Sequence, residues 1–201
     1  MTLRTLFITQ LYEANLTGER GFDAEELSDA ARAVADEDEA GQQWAQDHGY
    51  GGYTSYASLN DLTRRDSLFD ELRRVLDKHV AKFAQDLHLD LKAKLTLDSL
   101  WINILEPGAA HSGHIHPGSV ISGTVYLEVP PGASALKLED PRLPMMMAAP
   151  KRTSDAPESE RTFVYLTPQV GTVLLWESFL RHEVPVNLAQ EERVSLSFNY
   201  G

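Results

Sequence analysis

The stretch His111-Ser-Gly-His-Ile-His-Pro-Gly-Ser-Val-Ile-Ser-Gly-Thr-Val-Tyr-Leu127 places three of the seven histidines ahead of a β-forming run, Val120 to Val129. On a strand, residues i and i+2 face the same side, roughly 6 to 7 Å apart along the chain. The spacing therefore predicts that His114 and His116 aim both imidazoles at one point, as two cis metal ligands require. A third ligand has to come from elsewhere. His182, in Trp176-Glu-Ser-Phe-Leu-Arg-His-Glu-Val-Pro185 just after another hydrophobic run, is the candidate, and His111 could replace either of the first two.

Working outward, Leu95–Leu105, Ala135–Leu138, Thr162–Leu166, Thr172–Trp176 and Arg193–Asn199 read as further short strands. Pro130-Pro-Gly132, Thr167–Gly171 and Asn187–Glu192 separate most of them. Short strands broken by turn residues predict a β-sandwich or barrel. Upstream, Leu3–Tyr12 reads as a strand. Asp23 with Glu26 has capping spacing for a helix over about 24–37. Asp66 or Ser67 starts a second helix with Leu68, Leu72, Val75, Leu76, Val80, Phe83 and Leu87 on one face. His79 lies beside that face as a packing residue. Residues 41–62, rich in Gly, Tyr and Ser, read as a loop packed on the core, with a cleft lining as the alternative. The expected fold is mainly β with N-terminal helices, an α+β chain in one domain over 1–201. Residues 1–94 form a mostly helical support and 95–201 the β core. The long connection 143–162, with three consecutive methionines, reads as a lid or a disordered loop.

Composition narrows the function. A net charge of −12 argues against non-specific binding to nucleic acid or to an anionic membrane. The absence of cysteine excludes disulfides, thiolate catalysis and Cys-ligated metal. No apolar run approaches the ~20 residues a bilayer span needs. The first residues lack a signal-peptide core, so the cytoplasm is the expected location. A homodimer is compatible with the sequence.

Two ligands on one strand and a third on a distant strand make the facial arrangement of non-haem iron, with the opposite face open to substrate and oxygen. The usual triad carries an acid two residues after the first histidine; here that residue is His116. Three neutral imidazoles leave Fe(II) its full double positive charge, which a bound 2-oxo-dicarboxylate would balance. Along Arg193-Val-Ser-Leu-Ser-Phe-Asn199, Arg193, Ser195 and Ser197 alternate with apolar residues. If that face is interior, the guanidinium needs an anion. A planar guanidinium matches a carboxylate in bidentate fashion, so Arg193, helped by Ser195, suits the far end of 2-oxoglutarate. Asn103, on the strand before the histidines, is a further candidate contact. Tyr126 and Trp176 read as core. Arg142 reads as a surface ion pair, with recognition of an acidic substrate as the sharper alternative. Glu106, Asp140, Glu177 and Glu183 are the acids placed to orient a ligand imidazole.

His114-Ile-His-Pro-Gly-Ser-Val-Ile-Ser-Gly-Thr-Val-Tyr-Leu127, Leu138-Glu-Asp-Pro-Arg142, the Gly171…Trp176…His182 stretch and Arg193–Asn199 together resemble a bacterial family of 2-oxoglutarate/Fe(II)-dependent oxygenases. That family is similar to prolyl-hydroxylase-type enzymes. The resemblance covers about residues 99–201 well and the N-terminal half loosely. It implies a double-stranded β-helix, a cupin-like jelly roll packed by two main helices. It also implies His114 and His182 as iron ligands, Arg193 as the 2-oxoglutarate anchor, and His116 in the usual acid position. The expected activity is an Fe(II)/2-oxoglutarate dioxygenase that uses O2 to hydroxylate an unidentified prime substrate. The alternatives are a three-histidine cupin-like dioxygenase without 2-oxoglutarate, and a non-enzymatic metal-binding jelly roll.

Overall fold

A computed structural model of the chain describes residues 2–143 and 145–201. Among the described residues ten strands form two antiparallel sheets. They are β1 (Leu11–Asn15), β2 (Gly52–Thr54), β3 (Leu97–Leu105), β4 (His111–His114), β5 (Ile121–Glu128), β6 (Leu136–Glu139), β7 (Phe163–Leu166), β8 (Thr172–Glu177), β9 (His182–Val184) and β10 (Arg193–Tyr200). The major sheet has the order β1-β8-β5-β10-β3-β2 and the minor sheet β4-β9-β6-β7. Strands that are sequence neighbours are mostly not sheet neighbours, as in a double-stranded β-helix, where the chain crosses between two facing sheets.

The period-2 alternation of the strands divides the interior into two. Ile102 and Ile104 of β3, Val125 and Leu127 of β5, Val173 and Leu175 of β8, and Val194, Leu196 and Phe198 of β10 face outward under the helices. Helices α1 (Ala24–Glu37) and α3 (Ser67–Asp86) close that face with Leu27, Ala31, Phe69, Leu72, Leu76 and Val80. Each large aliphatic or aromatic side chain so buried contributes roughly 1.5–3 kcal/mol. The opposite face of the same strands looks toward the minor sheet. There Tyr126, Leu174 and Trp176 meet Leu136, Leu138 and Leu180 in a smaller cluster. Polar side chains also occupy this inner face, among them Asn103, Ser122, Thr124, Arg193, Ser195 and Asn199, all buried.

Gly123 on β5 is required by close approach. A Cβ there would lie 2.5 Å from the Phe198 ring and 2.7 Å from the Leu174 carbonyl.

Both helices start where expected. Asp23 Oδ1 accepts the backbone N–H groups of Glu25 and Glu26 at 3.0 and 3.1 Å. Asp66, rather than Ser67, caps α3 by accepting the Leu68 N–H at 2.8 Å. His79 sits as a packing residue, between the Tyr12 hydroxyl and Glu19.

Two expectations need correction. The first strand covers Leu11–Asn15, not Leu3–Tyr12. Its partner β8 ends at Glu177 and pairs Trp176 with Leu11, so residues before Leu11 run past the end of the ladder, and Leu3, Leu6, Phe7 and Ile8 are exposed. The segment 41–62 is not all loop. A further helix, α2 (Glu39–Asp47), is capped by Asp38, which accepts the Gly41 N–H at 3.1 Å. Gly41 lacks a side chain because one there would strike Asp38, Ser58 and Tyr53. The segment then pairs with β3 as β2. Residues 143–162 hold a short helical turn, Met145–Ala148, and a 3-10 turn, Glu158–Glu160; Pro144 lies outside the described residues. None of the described residues of this segment lines the cavity between the sheets. No helix among the described residues is long and apolar enough to cross a membrane.

Candidate metal centre and its cavity

His114 and His182 are direct cross-strand partners on β4 and β9. A bulge in β4, where the four residues His111–His114 oppose the three residues His182–Val184, sets this pairing. Bulges re-aim side chains in this way. Opposite residues on an antiparallel pair bring their Cβ atoms within ~5 Å, and here the two imidazole centroids lie 4.3 Å apart. His116 reaches the same point by another route. It lies beyond the end of β4, so the expected strand geometry for His114 and His116 is not what joins them. Its backbone N–H donates to the Ser178 carbonyl at 3.0 Å, which fixes the turn carrying it beside the end of β8. One ligating atom from each of the three rings lies within 4.8 Å of the others. This is a group that could hold a metal ion.

The donor set fits such an ion. The Nδ1 atoms of His114 and His182 lie 2.8 and 2.9 Å from the carbonyls of Ser112 and Leu180. A carbonyl only accepts, so both rings carry their proton on Nδ1 and present an Nε2 lone pair. The backbone therefore orients these rings, and the four acids considered from the sequence do not. Asp140 pairs with Arg142 at 2.7 Å, and Glu183 with Lys137 at 2.7 Å. His116 Nε2 faces His182 Nε2 at 3.2 Å. Ligand bonds of about 2.1 Å at right angles would put two donor nitrogens about 3 Å apart. Burial opposes charging of His116 and His182. It holds His116 at about 4, with help from His114, and His182 at about 3, with the carbonyl of Leu180 acting the other way. Imidazoles that stay neutral near pH 7 keep lone pairs for a cation.

His111 is adjacent but separate. Its ring stacks on His114 at 4.6 Å and meets Tyr50 edge-on at 5.6 Å. It lines the cavity without joining the converging nitrogens. Burial, followed by the neighbouring His114, His116 and Arg193, brings its pKa down to about 4.

Deeper between the sheets lies Arg193. It is 4% exposed, and its Nη1 donates to the Ser134 carbonyl at 3.1 Å. Among the described residues no carboxylate lies within ion-pair distance of it, and its Nε, Ser134 Oγ and Ser195 Oγ are buried without a partner. Its guanidinium sits 5.4 Å from the centre of the Tyr126 ring. A buried cation with an unused N–H is costly unless an anion completes it. Asn103 also lines the cavity. It accepts from Thr54 Oγ1 at 3.0 Å and donates to Ser197 Oγ at 3.1 Å. That leaves one N–H and one lone pair of the amide free.

Tyr50, Tyr126 and Trp176 also line the cavity, whereas strand composition alone places the latter two in the core. They are buried and do pack on neighbours, but the faces they bury are walls of the site. Trp176 packs edge-on to His182 at 4.7 Å. Tyr50 comes from the segment read as a loop. Its hydroxyl is pushed up to about 12 by burial, against the pull of Arg193. The available signal was parity: Tyr126 shares its strand face with Thr124 and Ser122, which are too polar for the helix side. Arg142, by contrast, forms the exposed ion pair that its sequence neighbourhood suggests.

Comparison with known proteins agrees with this architecture. Several solved structures share the fold at low sequence identity. The non-heme alpha ketoglutarate dependent epimerase SnoN from nogalamycin biosynthesis aligns with a TM-score of 0.60 and 16% identity over 96% of this chain and 76% of that one. HygX from Streptomyces hygroscopicus gives 0.57 and 16% over 96% and 82%. A Pseudomonas putida prolyl-4-hydroxylase gives 0.54 and 16% over 96% and 92%. A search among curated proteins finds no match. The sequence profile described as "Putative 2OG-Fe(II) oxygenase" matches residues 99–199, the span from β3 through β10 that carries every histidine of the centre and Arg193. With half of the chain matched by that profile, and its two-sheet fold in agreement, the protein belongs to the 2-oxoglutarate- and iron(II)-dependent oxygenase family.

Proposed function

We propose that the cavity is the active site of a dioxygenase that hydroxylates a C–H bond of a second substrate, with His114, His116 and His182 holding iron(II) and Arg193 anchoring 2-oxoglutarate. The observation that carries this reading is Arg193: a guanidinium buried between the sheets, lacking an anionic partner among the described residues, in the same cavity as three converging imidazoles. A charge-assisted bond from it to the distal carboxylate contributes roughly 1.5–3 kcal/mol. The hydroxyl of Ser195 shares that carboxylate, and the free N–H of Asn103 meets the cosubstrate along its length. Three neutral imidazoles bring no negative charge to the metal, so the dianionic cosubstrate supplies the compensation that an acidic ligand gives elsewhere. When bound, the iron supplies activation of O2, coupled to oxidative decarboxylation of 2-oxoglutarate. The protein positions the reactants, and the walls formed by Tyr126, Trp176 and Leu136 keep water out. Two structures of this fold support the reading: SnoN in complex with Fe3+, alpha ketoglutarate and nogalamycin RO, and HygX with nickel and 2-oxoglutarate bound.

Anaerobic titration with Fe(II) and then 2-oxoglutarate tests it. A visible metal-to-ligand charge-transfer band is expected on addition of the cosubstrate; a folded protein that binds Fe(II) and gives no band removes the 2-oxoglutarate assignment. The all-imidazole donor set favours one second reading, a cupin-like dioxygenase that takes its substrate directly on the metal. In that case Arg193→Ala would leave oxygen uptake intact and independent of 2-oxoglutarate.

A further inference from the structure

His116 is the one member of the centre whose second ring nitrogen does not face a carbonyl. Its Nδ1 lies 3.4 Å from the side-chain amide of Asn199. Asn199 is 5% exposed and sits on β10, with Ser99 of β3 and Ser122 of β5 as its partners on either side. In the orientation found, its nitrogen is directed to His116 Nδ1 and to Ser99 Oγ at 3.3 Å, and its oxygen accepts from Ser122 Oγ at 2.7 Å. Ser122 Oγ in turn lies 2.8 Å from Ser178 Oγ. Ser178 is the residue whose carbonyl holds the His116 backbone. One buried network thus fixes both the backbone and the ring of His116.

An amide nitrogen donating to His116 Nδ1 places the ring proton on Nε2. That proton points at His182 Nε2, 3.2 Å away and already an acceptor because its Nδ1–H is bound to the Leu180 carbonyl. A proton then lies between the two rings where a shared cation would lie, and His116 has no lone pair to offer that cation. Turning the Asn199 amide over, which exchanges its oxygen and nitrogen and moves no other heavy atom, reverses this. The oxygen accepts from His116 Nδ1–H and Ser99 Oγ–H, the nitrogen donates to Ser122 Oγ, and Ser122 donates to Ser178 Oγ. His116 Nδ1–H, Ser99 Oγ–H, Ser122 Oγ–H and one amide N–H then each have an acceptor, and the second amide N–H is left over.

We infer that Asn199 is the positioning residue for His116, its amide turning over to accept from His116 Nδ1–H so that His116 Nε2 is freed as a metal ligand. This rests on the three-histidine reading above. It gives His116 the second hydrogen bond that metal-bound imidazoles use to fix their tautomer, from an amide in place of a carbonyl or carboxylate.

Zn(II), which is diamagnetic, tests the inference in the full-length protein by calorimetry and by long-range proton–nitrogen NMR of the histidine rings. His116 is expected to be protonated on Nε2 in the metal-free protein and on Nδ1 in the Zn(II)-loaded protein. Asn199→Leu removes the acceptor and should weaken Zn(II) binding about 10–100-fold. Asn199→Asp, which can only accept, should bind within a few-fold of wild type and fix the Nδ1–H tautomer even without metal. Asn199→Asp as weak as Asn199→Leu, or Asn199→Leu as tight as wild type with His116 protonated on Nδ1, overturns the inference. If Asn199→Leu does not fold, Ser122→Ala, which leaves the amide unoriented, reads the same network through the His116 tautomer; an unchanged tautomer in both states counts against the inference. His116→Ala separates the two levels. Unchanged Zn(II) affinity in that variant sinks the three-histidine reading itself, whereas a large loss there beside unaltered Asn199→Leu sinks only the role of Asn199.

Discussion

Arg193 and Asn199 project from the same face of β10, opposite Leu105 and Ser99 of β3, so one strand carries the buried guanidinium near its start and the amide facing His116 near its end. Ser195 and Ser197 lie between them on that face. Phe198 and Leu196, on the other face, pack under the helices. The helices therefore set the height and angle of the strand from which both ends of the cavity are built.

Arg193→Ala should leave metal binding unchanged and weaken 2-oxoglutarate binding by one to two orders of magnitude, from a lost charge-assisted bond of roughly 1.5–3 kcal/mol. Arg193→Lys should restore only part of this, because an ammonium lacks the planar fork. Calorimetry on anaerobic, metal-loaded protein checks both.

Among the histidines, His114→Ala and His182→Ala should each abolish tight Fe(II) binding, since each removes one of three convergent nitrogens. His111→Ala should change it by only a few-fold. That ring stacks against His114 but contributes no nitrogen to the group. Direct metal titration of the three variants distinguishes a His114/His116/His182 centre from one that includes His111.

Acid should loosen the contact between α1 and the end of β5. The hydrogen bond from Arg32, then that from Ser28, holds the Glu128 carboxyl below its ordinary value. Arg32 donates to both Glu128 oxygens and also reaches Glu192 at 2.6 Å. The folded-state pKa is the lower one, so this stabilisation is fully present above the ordinary glutamate value of about 4.5 and is lost as pH falls through the depressed one. Thermal melts from pH 7 to pH 3 should show a steeper acid decline for wild type than for Glu128→Gln. The ion pair is half exposed, so the difference is small.

Gly123→Ala should destabilise the fold by about 1–3 kcal/mol, because the new methyl group meets the Phe198 ring and the Leu174 carbonyl and one of them has to shift. For a chain of this size that is a fall of very roughly 2–12 °C in Tm. A variant that melts with wild type would show that β5 and β10 have slack the close contact denies.

The histidine pattern, the alternation along Arg193–Asn199 and the succession of short strands were legible in the residues themselves, because strand periodicity and ligand chemistry are local properties. Partnership was not. Leu3–Tyr12 has the composition of a strand but lacks a neighbour before Leu11, and pairing depends on where β8 ends. Residues 39–47 form a helix because Gly41 fits against Asp38, Ser58 and Tyr53, contacts that bring together distant parts of the chain. His114 and His116 do converge, though not through strand spacing. His114 is set by its register against His182, and His116 by a turn bonded to Ser178. Local sequence thus determined which side chains could bind a cation and an anion. The tertiary structure alone decided that they share one cavity, that backbone carbonyls rather than acids orient two of the rings, and that Asn199 faces the third. Hydrogen-bond partners across a sheet are chosen by register, and register is settled only when the two sheets and the helices pack together.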